Sequence, residues 1–179
     1  MKFAERTVNK SYQYKGKILN LRKDDVLLPN GNQAVREMVE HSGGSAVVCE
    51  RDGKILMVKQ FRYPYGEEIL EIPAGKLNQG EDPAKTALRE LEEEGGVKAE
   101  RVEKLFDVYP TPAYTNEIIR VYKAVNIIDA KAHLDEDEFL SAEWIDKKQL
   151  KNMIRNGEIK DAKTLIALMY VLNENWEKD

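Results

Sequence analysis

The residues best suited to chemistry lie in the segment Arg89-Glu90-Leu91-Glu92-Glu93-Glu94. Read as a helix over 82–95, the surrounding stretch places Ala84, Ala87, Leu88 and Leu91 at i, i+3, i+4 and i+7, a narrow apolar stripe. Glu90 and Glu94 fall four apart on another face, with Glu93 beside them and Arg89 one turn before Glu93. Carboxylates at this spacing repel, and the C-terminal end of a helix disfavours negative charge. A hard divalent cation removes both penalties. Carboxylate oxygens suit magnesium, which typically takes a few of them together with water and substrate phosphates. Ions held this way can clamp a diphosphate, neutralise its leaving group and acidify the attacking water. For the glutamates taken alone, a solvated acidic face offset by Arg89 is the simpler account.

The glutamates are not alone. Gly75, Glu81, Arg89, Glu90, Leu91, Glu93, Glu94, Gly96 and Val97 fill a fixed pattern: Gly, five residues, Glu, seven residues, Arg-Glu-aliphatic, one residue, Glu-Glu, one residue, Gly-aliphatic. Residue frequencies alone produce that match on the order of once in a million chains of this length. The pattern is the Nudix box, and from about Ser45 to the last strand the chain resembles the Nudix hydrolase superfamily. The resemblance implies the α/β class, with a Nudix α/β/α sandwich built on a mixed sheet and the box forming a loop-helix-loop. It also implies Glu90 and Glu94 as principal metal ligands, Glu93 as a further ligand or a partner behind them, and the Ala74 carbonyl as another ligand. Arg89 would orient the glutamates, Glu81 would brace the loop, and Gly75 would permit the tight entry. The implied cofactor is magnesium, two or three ions, with manganese as a possible substitute. Gly75 and Gly96 are equally compatible with ordinary turns.

The flanks narrow the resemblance to the ADP-ribose pyrophosphatase family. Glu71-Ile72-Pro73-Ala74-Gly75 before the box is similar to that family, as is Lys59-Gln60-Phe61-Arg62. There Arg62 would pair with a substrate phosphate, which a guanidinium fits well; an ordinary surface ion pair is the plainer alternative. The segment from Tyr109 to Glu117 resembles the family's proline-bearing loop, with Pro112 fifteen residues after Val97. Pro112 and Glu117 are the expected substrate contacts there, although Ala113 stands where the family more often has Gly, and the prolines could simply stiffen a loop. The acidic run Asp135-Glu136-Asp137-Glu138 reads on composition as a solvated tip. The resemblance instead assigns Glu136 as catalytic base and Glu138 as metal ligand or substitute base. Residues 1–43 would form an N-terminal antiparallel β arm that builds a swapped homodimer, with Arg36 reaching adenine or ribose, and residues 44–179 the hydrolase domain. Arg36 is also compatible with a structural arm carrying a surface charge. The implied reaction is hydrolysis of ADP-ribose to AMP and ribose 5-phosphate. GDP-mannose or a similar nucleotide sugar is the alternative substrate, and a catalytically silent ligand sensor the alternative role.

These residues need a scaffold, and local patterns predict one. Pro29-Asn30-Gly31-Asn32 signals a turn between strands near Asp25–Leu28 and Ala34–His41, and Asp52-Gly53 a hairpin joining Ser45–Cys49 to Ile55–Phe61. A short strand over Ile69–Ala74 precedes the box. Asp82 and Pro83 fit an N-cap and first helical position, and Gly95-Gly96 a helix stop. Strands near Arg101–Tyr109, Glu117–Val125 and Glu143–Ile145 precede a helix over Lys147–Arg155. A last helix over Asp161–Trp176 would turn Leu165, Leu168, Met169 and Leu172 to the core.

The chain has 179 residues, 42% of them hydrophobic and 34% charged, which suits one globular domain with a small appendage. Its net charge of −4 argues against nucleic acid as a partner, because that needs a basic field. No apolar run approaches membrane-spanning length, and MKFAERTVNK lacks a signal-peptide core, so no membrane partner and a cytoplasmic location are expected. The single cysteine, Cys49, sits in an apolar run and reads as a small buried hydrophobe. Tyr12, Tyr14, Tyr63 and Tyr65 are candidate base-stacking residues.

Overall fold

The computed structural model describes residues 3–134 and 138–173. The chain divides into two compact units, one of residues 1–43 with 109–118 and one of residues 44–108 with 119–179.

The first unit is a three-stranded antiparallel meander, β1 (Arg6–Lys15), β2 (Leu19–Leu27) and β3 (Gln33–His41). The β2–β3 turn follows its residues: Asn30 Oδ1 accepts from Asn32 N at 3.0 Å, and Gly31 takes φ +88°. β1 and most of β2 carry no clear strand pattern of their own within the β arm expected over 1–43, and their burial explains why. Nearly all of β1 is exposed, so it carries no apolar alternation to read. β2 inverts the usual pattern, with Arg22, Asp24 and Val26 buried while Leu19 and Leu21 are exposed. Its buried charges are paired: Arg22 is bound by Asp24 and donates from Nη1 to Glu40 Oε1 at 2.6 Å. The 109–118 loop adds to β3, with Val39 N donating to the Tyr114 carbonyl at 2.7 Å.

The second unit holds two sheets. One has the order β8 (Ala74–Lys76), β4 (Gly44–Val48), β10 (Ile119–Asp129), β9 (Val97–Val108). It is mixed, because β4 and β10 run parallel while the other pairs are antiparallel. The other is antiparallel, β11 (Leu140–Asp146), β6 (Lys54–Arg62) and β5 (Glu50–Arg51), with β7 (Glu67–Glu71) also on β6. Helices α1 (Pro83–Glu93), α2 (Lys147–Arg155) and α3 (Ala162–Leu172) complete it.

Alternation along β4 sends side chains into two cores. Val47 and Cys49 pack with Ala87 and Leu91 of α1, whereas Ala46 and Val48 pack with Leu150 of α2 and Ala167, Leu168 and Leu172 of α3. The result is the α/β/α layering expected. Cys49 is fully buried, and burial pushes its thiol up to about 12, which suits packing and not nucleophilic chemistry. The α3 stripe needs correction: Met169 is exposed and Leu165 only half-buried, while Lys163, Thr164 and Ala167 join Leu168 and Leu172 on the buried face. That helix is apolar nearly all round, so its sequence does not reveal which side meets the sheet. Among the described residues no helix is long and apolar enough to cross a membrane.

Candidate active site

Local sequence sets the site's central helix. Asp82 caps α1, accepting from Ala84 N at 2.8 Å, and Pro83 opens it where its missing N–H costs nothing. The helix stops at Gly96, whose φ of +62° suits a residue without Cβ. Arg89 then ties three glutamates together. Its Nη1 lies 2.7 Å from Glu93 Oε2 and 2.8 Å from Glu90 Oε1, and its Nε lies 3.3 Å from Glu81 Oε1. Glu81 in turn accepts from Asn78 N at 3.0 Å, closing the loop that leads into the helix.

Glu90 and Glu94 are the unusual pair, only 6% and 3% exposed. Glu94 Oε2 accepts from Ala74 N at 2.9 Å. Glu90 lies so close over Gly75 that any Cβ there would fall inside its carboxylate. Burial, the leading cause, pushes Glu90 up to about 7 and Glu94 up to about 8. Like charge adds to both shifts, with Glu138 contributing in each case, which places Glu138 in the field of this pair.

The strand residues opposite α1 are fixed one by one. Glu71, 2% exposed, accepts from Arg62 Nε at 2.6 Å and Nη2 at 2.7 Å and also binds Lys163 Nζ. Ile72 N donates to Thr164 Oγ1 at 3.0 Å, the Pro73 carbonyl accepts from Val47 N at 2.9 Å, and Ala74 N is held by Glu94. The run Glu71-Ile72-Pro73-Ala74-Gly75 is therefore a rail clamped at successive residues, presenting Ala74 and Gly75 to the two glutamates.

Residues 39–168 match the NUDIX domain. The chain belongs to the Nudix family. Residues 5–39 match the nucleoside diphosphate sugar hydrolase N-terminal domain. The chain is similar to ADP-ribose pyrophosphatase of Bacillus subtilis (strain 168), 43% identical over 93% of this chain and 92% of that protein. It is 42% identical to the methanol dehydrogenase activator of Bacillus methanolicus, over 94% of this chain and 93% of that one. It is 31% identical to GDP-mannose pyrophosphatase of Yersinia enterocolitica serotype O:8 / biotype 1B (strain NCTC 13174 / 8081), over 82% and 83%. The crystal structure of ADP compounds hydrolase shares the fold at a TM-score of 0.81 and 19% identity, covering 96% of this chain and 92% of that one.

The Nudix site fits a divalent ion on its own chemistry. Glu90 and Glu94 are oxygen donors buried with their charge under-compensated, and a hard cation is what such a pair lacks. Among the described residues no three Asp, Glu, His or Cys side chains form a complete cage.

Of the residues singled out in the sequence, Ala74, Arg89, Glu90, Glu93 and Glu94 come together here, with Glu138 in their field. Glu136 lies outside the described residues. Arg62 is engaged by Glu71 through both Nε and Nη2. Arg36, Pro112 and Glu117 belong to the first unit. There Arg36 is half-exposed and donates from Nε to Glu5 at 2.9 Å, Pro112 is exposed at the start of a turn, and Glu117 Oε1 lies 3.3 Å from His41 Nδ1. Lys163 was missed by sequence reading. It is 7% exposed and paired with Glu71 and Asp161, and its charge partly relieves Glu94. A lysine two residues past the N-cap of α3 gives no signal of burial beside a strand residue 92 positions away.

Proposed function

We propose that this Nudix hydrolase cleaves the diphosphate bond of ADP-ribose, giving AMP and ribose 5-phosphate, with two or three magnesium ions that manganese can replace. The buried Glu90–Glu94 pair on the Ala74–Gly75 rail carries the reading, since two carboxylates buried side by side are costly to ionise without a cation between them. Similarity to ADP-ribose pyrophosphatase along nearly the whole chain supports the substrate. Divalent ions bound here supply positive charge to the diphosphate and acidify the attacking water.

The protein's own residues supply position and proton transfer. Glu90, Glu94 and the Ala74 carbonyl hold the metal, with Glu93 beside them, and Arg89 fixes the approach of Glu90 and Glu93. Arg62, held at Nε and Nη2, offers Nη1 to a substrate phosphate. Water attacks one phosphorus, the bond from that phosphorus to the bridging oxygen breaks, and the water proton passes to Glu136 or to Glu138. Arg36, Pro112 and Glu117 contact the nucleoside end.

A swapped homodimer accounts for the first unit, whose β1 and β2 expose Val8, Tyr12, Tyr14, Leu19 and Leu21. Light scattering should give twice the chain mass. Its single buried thiol suits a reducing compartment such as the cytoplasm.

The test is product analysis on a nucleotide panel in magnesium, comparing wild type with Glu94→Gln. AMP and ribose 5-phosphate from ADP-ribose, lost in the variant, is the expected result. Preferred cleavage of GDP-mannose, which the Yersinia relative keeps as a second reading, would replace the substrate and retain the mechanism. No turnover of any diphosphate by folded, magnesium-bound protein would overturn the proposal.

A further inference from the structure

Ser45 is fully buried on β4, and its Oγ is the one buried side-chain polar atom among the described residues without a hydrogen-bond partner. Native proteins rarely leave such a group unpaired, so it calls for an explanation. Its surroundings follow from strand register. Val47 of the same strand points into the core beneath α1, so Ser45, two residues before it, points to that side too. Across the ladder Ser45 is directly opposite Gly75, and residues paired in this way share a face.

Gly75 has no side chain, but the position a Cβ would take is already filled by the Glu90 carboxylate. Opposed Cβ atoms in an antiparallel pair stand about 4.5–5.5 Å apart. The Glu90 carboxylate therefore occupies the place of the cross-strand neighbour of Ser45. Arg89, the residue before it on α1, holds Glu90 Oε1 at 2.8 Å. Gly75 thus leaves room for the glutamate, and Ser45 stands on the sheet side of that room.

We propose that Ser45 is a positioning residue that donates a hydrogen bond to Glu90 when the divalent ion is bound, fixing which carboxylate oxygen Glu90 presents. The inference rests on the reading of Glu90 as a metal ligand. Groups that orient a ligand in this manner typically alter metal affinity by about 10-fold or more when removed.

The experiment is Mn2+ titration, followed calorimetrically and by the spectrum of free Mn2+, on wild type, Ser45→Ala, Ser45→Cys, Glu90→Ala and the double variant Ser45→Ala/Glu90→Ala. Ser45→Ala should keep or raise the thermal midpoint of the metal-free protein, because the buried hydroxyl it removes has no partner there, and should bind Mn2+ about 10-fold more weakly. Ser45→Cys, with a weaker donor, should fall between. In the Glu90→Ala background the serine should no longer matter. Unchanged affinity in Ser45→Ala, or a loss that persists in full without Glu90, overturns the inference while the metal site stands. Unchanged affinity in Glu90→Ala overturns the metal site itself and this inference with it.

Discussion

Substituting Gly75 by alanine tests the geometry of the site most directly. Gly75 is not among the glycines with positive φ, so the backbone accepts alanine and the requirement is for space alone. The added methyl would fall on Oε1 and Cδ of Glu90 and within 2.6 Å of Oε2. All three atoms are the far end of one side chain, so the backbone can stay while the carboxylate is driven out. Leaving that position, Glu90 gives up its 2.8 Å contact with Arg89. Overpacking of this kind costs about 1–3 kcal/mol. At about 2–4 °C per kcal/mol for a chain of this size, the midpoint should drop by about 2–12 °C. Activity should suffer far more, because misplacing a catalytic group by about 1 Å costs on the order of 100-fold. Product formation from ADP-ribose, Mn2+ titration and thermal denaturation on the same preparation separate the two effects. In a Glu90→Ala background the methyl finds vacant space, so the stability cost of Gly75→Ala should largely disappear. A Gly75→Ala protein with wild-type kcat/KM and Mn2+ affinity would show that Glu90 does not work from the position seen here.

Three further outcomes can be measured. The carboxyls of Glu90 and Glu94 are raised to about 7 and about 8, so between the ordinary carboxylate range and about pH 8 the folded protein holds more protons than the unfolded chain. Stability of the metal-free protein should accordingly fall as pH rises from about 5 to about 8, and magnesium should flatten that slope; urea melts with EDTA or magnesium at pH 6 and pH 8 check the sign. Lys163→Met removes one of two cations from buried Glu71 and should cost about 3 kcal/mol in chemical denaturation, with an unchanged midpoint counting against the clamp. Arg36→Ala should raise KM for ADP-ribose and leave kcat nearly unchanged if the residue only binds the nucleoside end, so a selective loss of kcat in steady-state assays would assign it elsewhere.

The local pattern of the sequence determined the catalytic helix. Asp82, Pro83 and Gly96 set its ends, and the four-residue interval between Glu90 and Glu94 puts both carboxylates on neighbouring turns, because caps and helical period depend only on residues a few positions apart. The Asp52-Gly53 turn was legible for the same reason, with both residues at positive φ. The strand it joins to β6 is the short β5, however, whereas residues 45–48 of the expected partner lie in the other sheet beside β8 and β10. Tertiary structure alone decided the rest. Nothing near Glu71 foretells that Arg62 and Lys163 share its charge, nor does anything near Gly75 reveal that Glu90 fills its missing side chain. β1 shows no apolar alternation because nearly all of it is exposed, and the apolar helix α3 could present several faces equally well until Thr164 bonded Ile72. The burial that raises Glu90 and Glu94 is likewise a property of packed layers, since a helix period states which residues lie side by side but not what covers them.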